Sequence, residues 1–144
     1  MKIVLSESQY KRILSEEKEQ KVLHIPSLKI FSGDWDLLQK FLKHRGNPPY
    51  TIGGNLDLEG TPIESLGNLI SVEGYLDLSN TPIEYLENLE SVGGGLALYG
   101  TPIKSLGNLQ SVRLNLFLIN TPLSKKYTEE EIRQMVDVGG DIYL

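Results

Sequence analysis

Asp57, Glu59 and Asp77 are the residues of this chain whose type and spacing best suit chemistry. Asp57 and Asp77 stand twenty residues apart in a chain that repeats every twenty residues. Strands one repeat apart would bring their backbones to within about 4.8 Å. Such a carboxylate pair suits general acid–base hydrolysis or the holding of a cation. A solvated acidic patch has the same signature, and no further ligand or cleft accompanies this one, so the patch is the expectation.

The other reactive residue types add nothing to that pair. His24 and His44 are the only histidines, and neither has a partner at metal-ligand or triad spacing. Gly93-Gly94-Gly95 lacks the Lys-Ser/Thr that follows a phosphate-binding loop, and it falls at a bend of the repeat. Cysteine is absent, which excludes a disulfide framework, a thiolate metal site and a cysteine nucleophile. The expectation is a protein that is not an enzyme, with no cofactor and no bound metal.

These residues are positioned by an internal repeat. T-P-I-E-S-L-G-N-L-I-S-V-E-G-Y-L-D-L-S-N begins at Thr61, and related copies begin at Thr81 and Thr101; Thr121-Pro122-Leu123 opens a fourth that then diverges. Leu56/Leu58, Leu76/Leu78, Leu96/Leu98 and Leu116/Leu118 are pairs two apart, the signature of short strands with both leucines on one face. Stacked every twenty residues, they make a parallel sheet. Ile63/Ile83/Ile103, Leu66/Leu86/Leu106, Leu69/Leu89/Leu109 and Ile52/Val72/Val92/Val112 are expected to fill the remaining interior. One copy alone cannot bury these side chains, so the stack is the stable unit.

Polar columns mark the bends. Thr61, Thr81, Thr101 and Thr121 can place hydroxyls on backbone groups of the turn, and Asn68, Asn88 and Asn108 are expected to cap the opposite bend. Gly60, Asn80, Gly100 and Asn120 share a column and are the types that accept positive φ.

Leu76-x-Leu78-x-x-Thr81-x-Ile83-x-x-Leu86 resembles the leucine-rich repeat pattern L-x-L-x-x-N-x-L-x-x-L, with Thr in place of the usual Asn. The twenty-residue length resembles the short repeats of bacterial effectors and covers about residues 51–144. The resemblance implies an α/β solenoid: a right-handed superhelix with a parallel sheet of about six strands, a mostly extended convex side and helical N- and C-terminal caps. It also implies protein binding on the concave sheet. The opening I-V-L-S-E-S-Q-Y-K-R-I-L is similar to openings of bacteriophage proteins.

Three segments are expected: an amphipathic appendage over 1–20, an N-terminal cap over 21–50, and repeats with a capping helix and strand over 51–144. Ser6-Glu7-Ser8-Gln9 can cap the first helix. Leu28–Gly33 reads as a degenerate strand, and Asp34 as the cap of a helix with Trp35, Leu38, Phe41 and Leu42 on its inner face. Trp35 is expected in the core of this cap. Thr128-Glu129-Glu130-Glu131 reads as a capping box opening a helix to about Asp137, with Ile132 and Met135 in interior columns.

Of the charge, residues 1–50 hold nine Lys/Arg against six Asp/Glu, a balance of +3, and residues 51–144 hold five against thirteen, a balance of −8, giving the net −5. An acidic repeat region argues against a nucleic-acid partner. No run of residues is apolar enough for a membrane span or a secretory signal. The expectation is therefore cytoplasmic, or host cytoplasm or virion for a phage product.

Outward strand positions read Lys29, Asp57, Asp77, Ala97, Phe117, Tyr143, flanked by Asn55, Tyr75, Gly95, Asn115, Asp141 and by Glu59, Ser79, Tyr99, Ile119. Tyr99, Phe117, Ile119 and Tyr143 are expected to form an exposed apolar patch, the usual mark of an interface. With Asp57, Asp77 and Tyr75 they are the candidate protein- or peptide-binding residues. Self-association through the last strand, whose edge is open at Leu144, is the second reading. A carboxylate- or metal-dependent hydrolase is the third.

Overall fold

The structure is a computed structural model, and it describes residues 6–9 and 21–144. Most of the amphipathic helix expected over 1–20 lies outside those residues. Residues 7–9 are helical. Ser6 and Gln9 make the reciprocal bonds of a capping pair: Gln9 N–H donates to Ser6 Oγ at 3.3 Å and Ser6 N–H to Gln9 Oε1 at 3.0 Å.

Two parallel sheets run side by side through the repeats. One has six strands in the order β1 (Leu23–Ile25), β2 (Tyr50–Ile52), β4 (Leu69–Val72), β6 (Ser91–Val92), β8 (Ser111–Val112) and β10 (Asp137–Val138). The other has five: β3 (Leu56–Asp57), β5 (Leu76–Asp77), β7 (Leu96–Ala97), β9 (Leu116–Phe117) and β11 (Ile142–Tyr143). Helices α1 (Trp35–His44), α2 (Pro122–Lys126) and α3 (Glu129–Met135) flank them.

The register follows the repeat. Leu56 pairs Leu76, Leu76 pairs Leu96 and Leu96 pairs Leu116, each twenty residues on. The last interval, Leu116 to Ile142, is twenty-six residues, because α2 and α3 replace an extended arm. The second sheet is a correction to the expected single one. The Ser-Val pairs are too short for a period-two pattern, yet each lies beside the same pair of the next copy. Their backbone groups therefore close a ladder of their own, Ser71 on Ser91 and Ser91 on Ser111.

The leucine and valine columns form one core, with Leu56, Leu66, Leu76, Leu86, Leu96, Leu116 and Val112 fully buried. Ile63 is only half-buried. Thr81, Thr101 and Thr121 are buried, and each donates its hydroxyl to the carbonyl three residues back, at 2.6–2.8 Å. Thr61 makes the same bond, 2.7 Å to Leu58. Burial without that bond would leave a hydroxyl unsatisfied. Asn68, Asn88 and Asn108 do not cap their own bend as expected. They reach back one copy, to the Asn47 carbonyl, Asn68 Oδ1 and the Glu87 carbonyl.

Left-handed backbone occurs where Gly and Asn share a column, at Gly60, Asn80, Gly100 and Asn120. A second such column holds Gly67 and Gly107 but also Glu87, at φ 53°. A side chain there costs roughly 1–2 kcal/mol, against roughly 0.4–1 kcal/mol for the freer unfolded chain that glycine brings. Glu87→Gly should therefore raise stability by up to about 1 kcal/mol, read as a higher urea midpoint at unchanged slope. A lower midpoint would contradict this.

The ends depart from the sequence reading in two places. Leu28–Phe31 is a 3-10 turn, not a strand: Ser27 Oγ accepts from Lys29 N–H, and Ser32 closes the turn at φ 56°. Lys29 therefore sits in that turn, outside both sheets, and the five-stranded sheet begins at Asp57 and its neighbours. The strand of this region is β1, which pairs β2 of the other sheet. At the far end Met135 is exposed, and Val136 takes the interior place. The helix turns Met135 outward where an extended arm would turn it in.

The helix caps match their sequences. Asp34 accepts from Leu37 N–H at 3.2 Å, and Trp35, Leu38 and Leu42 are buried on the inner face of α1. Thr128 and Glu131 form the capping box of α3. Tyr50 pins α1 to the stack: its buried hydroxyl donates to the Leu66 carbonyl at 2.8 Å and accepts from Gln39 Nε2 at 3.1 Å. Burial pushes this phenol well above the ordinary tyrosine range.

Candidate functional site

The outer face of the five-stranded sheet carries an acidic half and an aromatic half. In the acidic half, β3 and β5 set Asp57 directly beside Asp77. Each spends one oxygen on its own bend: Asp57 Oδ1 accepts from Glu59 N–H at 3.0 Å and Asp77 Oδ1 from Ser79 N–H at 2.9 Å. Asp57, Glu59 and Asp77 bring carboxylate oxygens within 4.8 Å of one another. Asp57 and Glu59 are exposed and Asp77 half-buried.

Tyr75 borders this cluster. Its phenol is held above the usual range, first by partial burial and then by the charges of Asp77, Asp57 and Glu59. A Cβ on Gly95, the next residue in its column, would lie 3.0–3.1 Å from carbons of the Tyr75 ring. The bare glycine is what lets the ring lie there.

In the aromatic half, Phe117 and Tyr143 stack with centroids 4.8 Å apart and planes 6° from parallel. They are register partners on β9 and β11. Two residues further along, Tyr99 and Ile119 are neighbours across copies, and the Gly100 amide donates to the Ile119 carbonyl. Tyr99 is 43% exposed and Tyr143 40%. The Tyr99 hydroxyl accepts from Asn120 Nδ2 at 3.2 Å, which orients the ring. Phe117 and Ile119 are half-buried.

Three positions read as outward are covered. Ala97, Ser79 and Gly95 are all buried. Each is the small residue of its column, between Asp77 and Phe117, between Glu59 and Tyr99 or between Tyr75 and Asn115, and the longer neighbours shade it.

The remaining reactive residues lie apart from this face. His24 is on β1 of the other sheet, with Nδ1 2.6 Å from Thr51 Oγ1 and Nε2 3.8 Å from Glu73 Oε1. His44 ends α1. Gly93 and Gly94 lie against the backbone of the preceding copy, at Glu73 and Gly74. Close packing accounts for these glycines without a phosphate.

Sequence reasoning missed a groove of about 550 Å3 along the six-stranded sheet, lined by Ser71, Ser91, Ser111 and Asp137 with Glu73 and Arg113. The serine column at twenty-residue spacing was its only signal. Among the described residues no helix is long and apolar enough to cross a membrane. No protein-family model, curated protein or solved structure matches the chain.

Proposed function

We propose that this chain is a short leucine-rich-repeat-like solenoid, a right-handed superhelix, that binds a protein or peptide on the outer face of its five-stranded sheet without catalysis. The observation that carries the reading is the solvent-facing Phe117–Tyr143 stack, continued by Tyr99 and Ile119. Exposed aromatic rings give large contact area at low entropic cost, and clusters of them mark interfaces. The acidic cluster at the other end of the face favours a partner with basic residues beside its apolar ones.

In this reading residues 21–50 are the N-terminal cap, residues 51–144 the binding body, and residues 1–20 an appendage; the setting is cytoplasmic. Against catalysis stand the exposure of Asp57 and Glu59 and the commitment of Asp57 and Asp77 to their own backbone.

Panning a random-peptide library on the protein tests this. Enriched peptides should combine aromatic or aliphatic residues with Lys or Arg. The double variant Tyr99→Ala/Phe117→Ala should bind them at least about a hundredfold more weakly, the loss expected of two hot-spot truncations. Its melting temperature should stay high enough to show an intact fold. Equal binding by the folded double variant would sink the proposal.

A further inference from the structure

A pocket of about 230 Å3 lies in the seam between the extended arm of the copy that begins at Thr101 and the helices α2 and α3. Elsewhere in the stack one extended arm lies on another of the same kind, and like columns interlock. Here rounded helices meet a flat arm, and the two surfaces do not close on each other. Leu106 from the arm, Leu123 from α2 and Ile132 from α3 line the pocket and are all buried, so its floor is apolar. Met135 stands beside them, 45% exposed, a flexible side chain that adapts to an irregular apolar guest.

Two exposed cations, Lys104 and Lys126, line the same pocket. Lys104 stands where the two preceding copies carry Glu64 and Glu84, and Ser105 where the preceding copy carries Tyr85. The copy that faces the helices is thus the one in which an acidic position turns basic, while a ring beside it gives way to a small hydroxyl. Glu84 answers part of the Lys104 charge, at 3.3 Å. Lys126 has no such answer: among the described residues no carboxylate pairs with its ammonium. It lies 5.2 Å from the centre of the Tyr127 ring, another wall of the pocket, and that attraction holds it there. Ser105 Oγ accepts from Gly107 N–H at 2.9 Å, which leaves its own proton to donate.

We propose that this pocket binds a small carboxylic acid whose apolar body is one ring or a short alkyl chain. Leu106, Leu123 and Ile132 take the body, Lys126 and the Ser105 hydroxyl take the carboxylate, and Lys104 adds positive potential at the mouth. Charge selects the anion: ammonium groups beside an apolar floor repel an amine and leave a neutral guest without its strongest contact. Size sets the body. An apolar cavity of roughly 150 Å3 holds benzene, so about 230 Å3 holds a ring with a short acid arm. None of the lining residues belongs to a strand of either sheet. The site is therefore separate from the aromatic face and stands or falls independently of it.

Titrating the isotope-labelled full chain with hydrocinnamate, followed by amide NMR, tests the proposal. Millimolar acid should shift the signals of Leu106, Leu123 and Ile132 and leave those of Asp57 and Asp77 in place. Hydrocinnamamide has the same shape without the charge and should bind at least about tenfold more weakly, the loss of one charge-assisted hydrogen bond. Lys126→Met keeps the apolar stem but removes the ammonium. It should weaken the acid by a similar factor and leave the amide unchanged. Ser105→Tyr restores the ring of the preceding copy at an exposed position, should fill the mouth and abolish binding of both, and stands in should Lys126→Met fail to fold. Acid and amide binding alike, a folded Lys126→Met variant of full affinity, or an absence of shifts at the pocket overturns the proposal. A tripeptide ending in a free phenylalanine carboxylate that binds more tightly than the acid overturns it too, by reassigning the pocket to a peptide end.

Discussion

Leu96→Ala should lower unfolding free energy by about 3–5 kcal/mol, the upper range for a leucine truncated in a tightly packed core. Leu96 is fully buried on β7, the middle strand of its sheet, with Leu76 and Leu116 as register partners on either side. Both neighbours are held by their own ladders, so the walls have little freedom to collapse into the space left. The loss should appear in urea as a lower midpoint. Because each copy touches mainly its neighbours, damage at the centre should also reduce cooperativity, seen as a shallower slope. A loss below about 1 kcal/mol would mean the interior repacks around the site.

Gly93→Ala should be comparably damaging for a different reason. The backbone at Gly93 is not left-handed, so conformational freedom is not what the glycine supplies. A Cβ there would meet the Glu73 carbonyl, 2.9 Å from its carbon and closer still to its oxygen. That obstacle is main chain, and the same approach carries the Gly93 N–H bond to Val72 O. Adding one carbon forces two copies apart along a hydrogen-bonded edge. A loss of about 3 kcal/mol is expected, the upper end of overpacking costs. Gly54→Ala is the comparison: its φ of 69° brings conformational strain, but nothing lies within 4 Å of the new carbon. If the two variants melt alike, steric approach is not what Gly93 provides.

The parts of the fold that depend on one copy, or on two identical copies, were legible in the sequence. Period-two leucines located the five-stranded sheet, the Gly/Asn column located the left-handed bends, and Asp34 and Thr128 located the starts of α1 and α3. What was not legible depends on how unlike pieces meet. Ser71-Val72 is too short to announce a strand, and only its neighbour at Ser91 makes it one. Leu28–Phe31 has the apolar content of a strand, but Ser27 and Ser32 curl it locally.

The candidate face was legible in composition and less so in relief. Asp57 beside Asp77 and Phe117 beside Tyr143 follow from the register alone. The burial of Ala97 and Ser79 follows from the bulk of residues on adjacent copies. Arg133, whose guanidinium donates to the Val138 and Gly140 carbonyls, gave no sequence signal, since every residue carries a carbonyl. Only the path of α3 across the end of the sheet brings it there.

The nearly constant interval between register partners also sets an order of assembly. Each strand finds its partner about twenty residues back, in chain that has already been made. A chain emerging from the ribosome N-terminus first can lay each turn on a finished one, with α1 and Tyr50 as the floor. Each closure spans a short stretch of sequence, so its entropic cost is small and nearly the same at every step. The turn that carries α3 is laid down after the copies it rests on. Until then every nascent stack presents an open, growing edge to its neighbours on the same message.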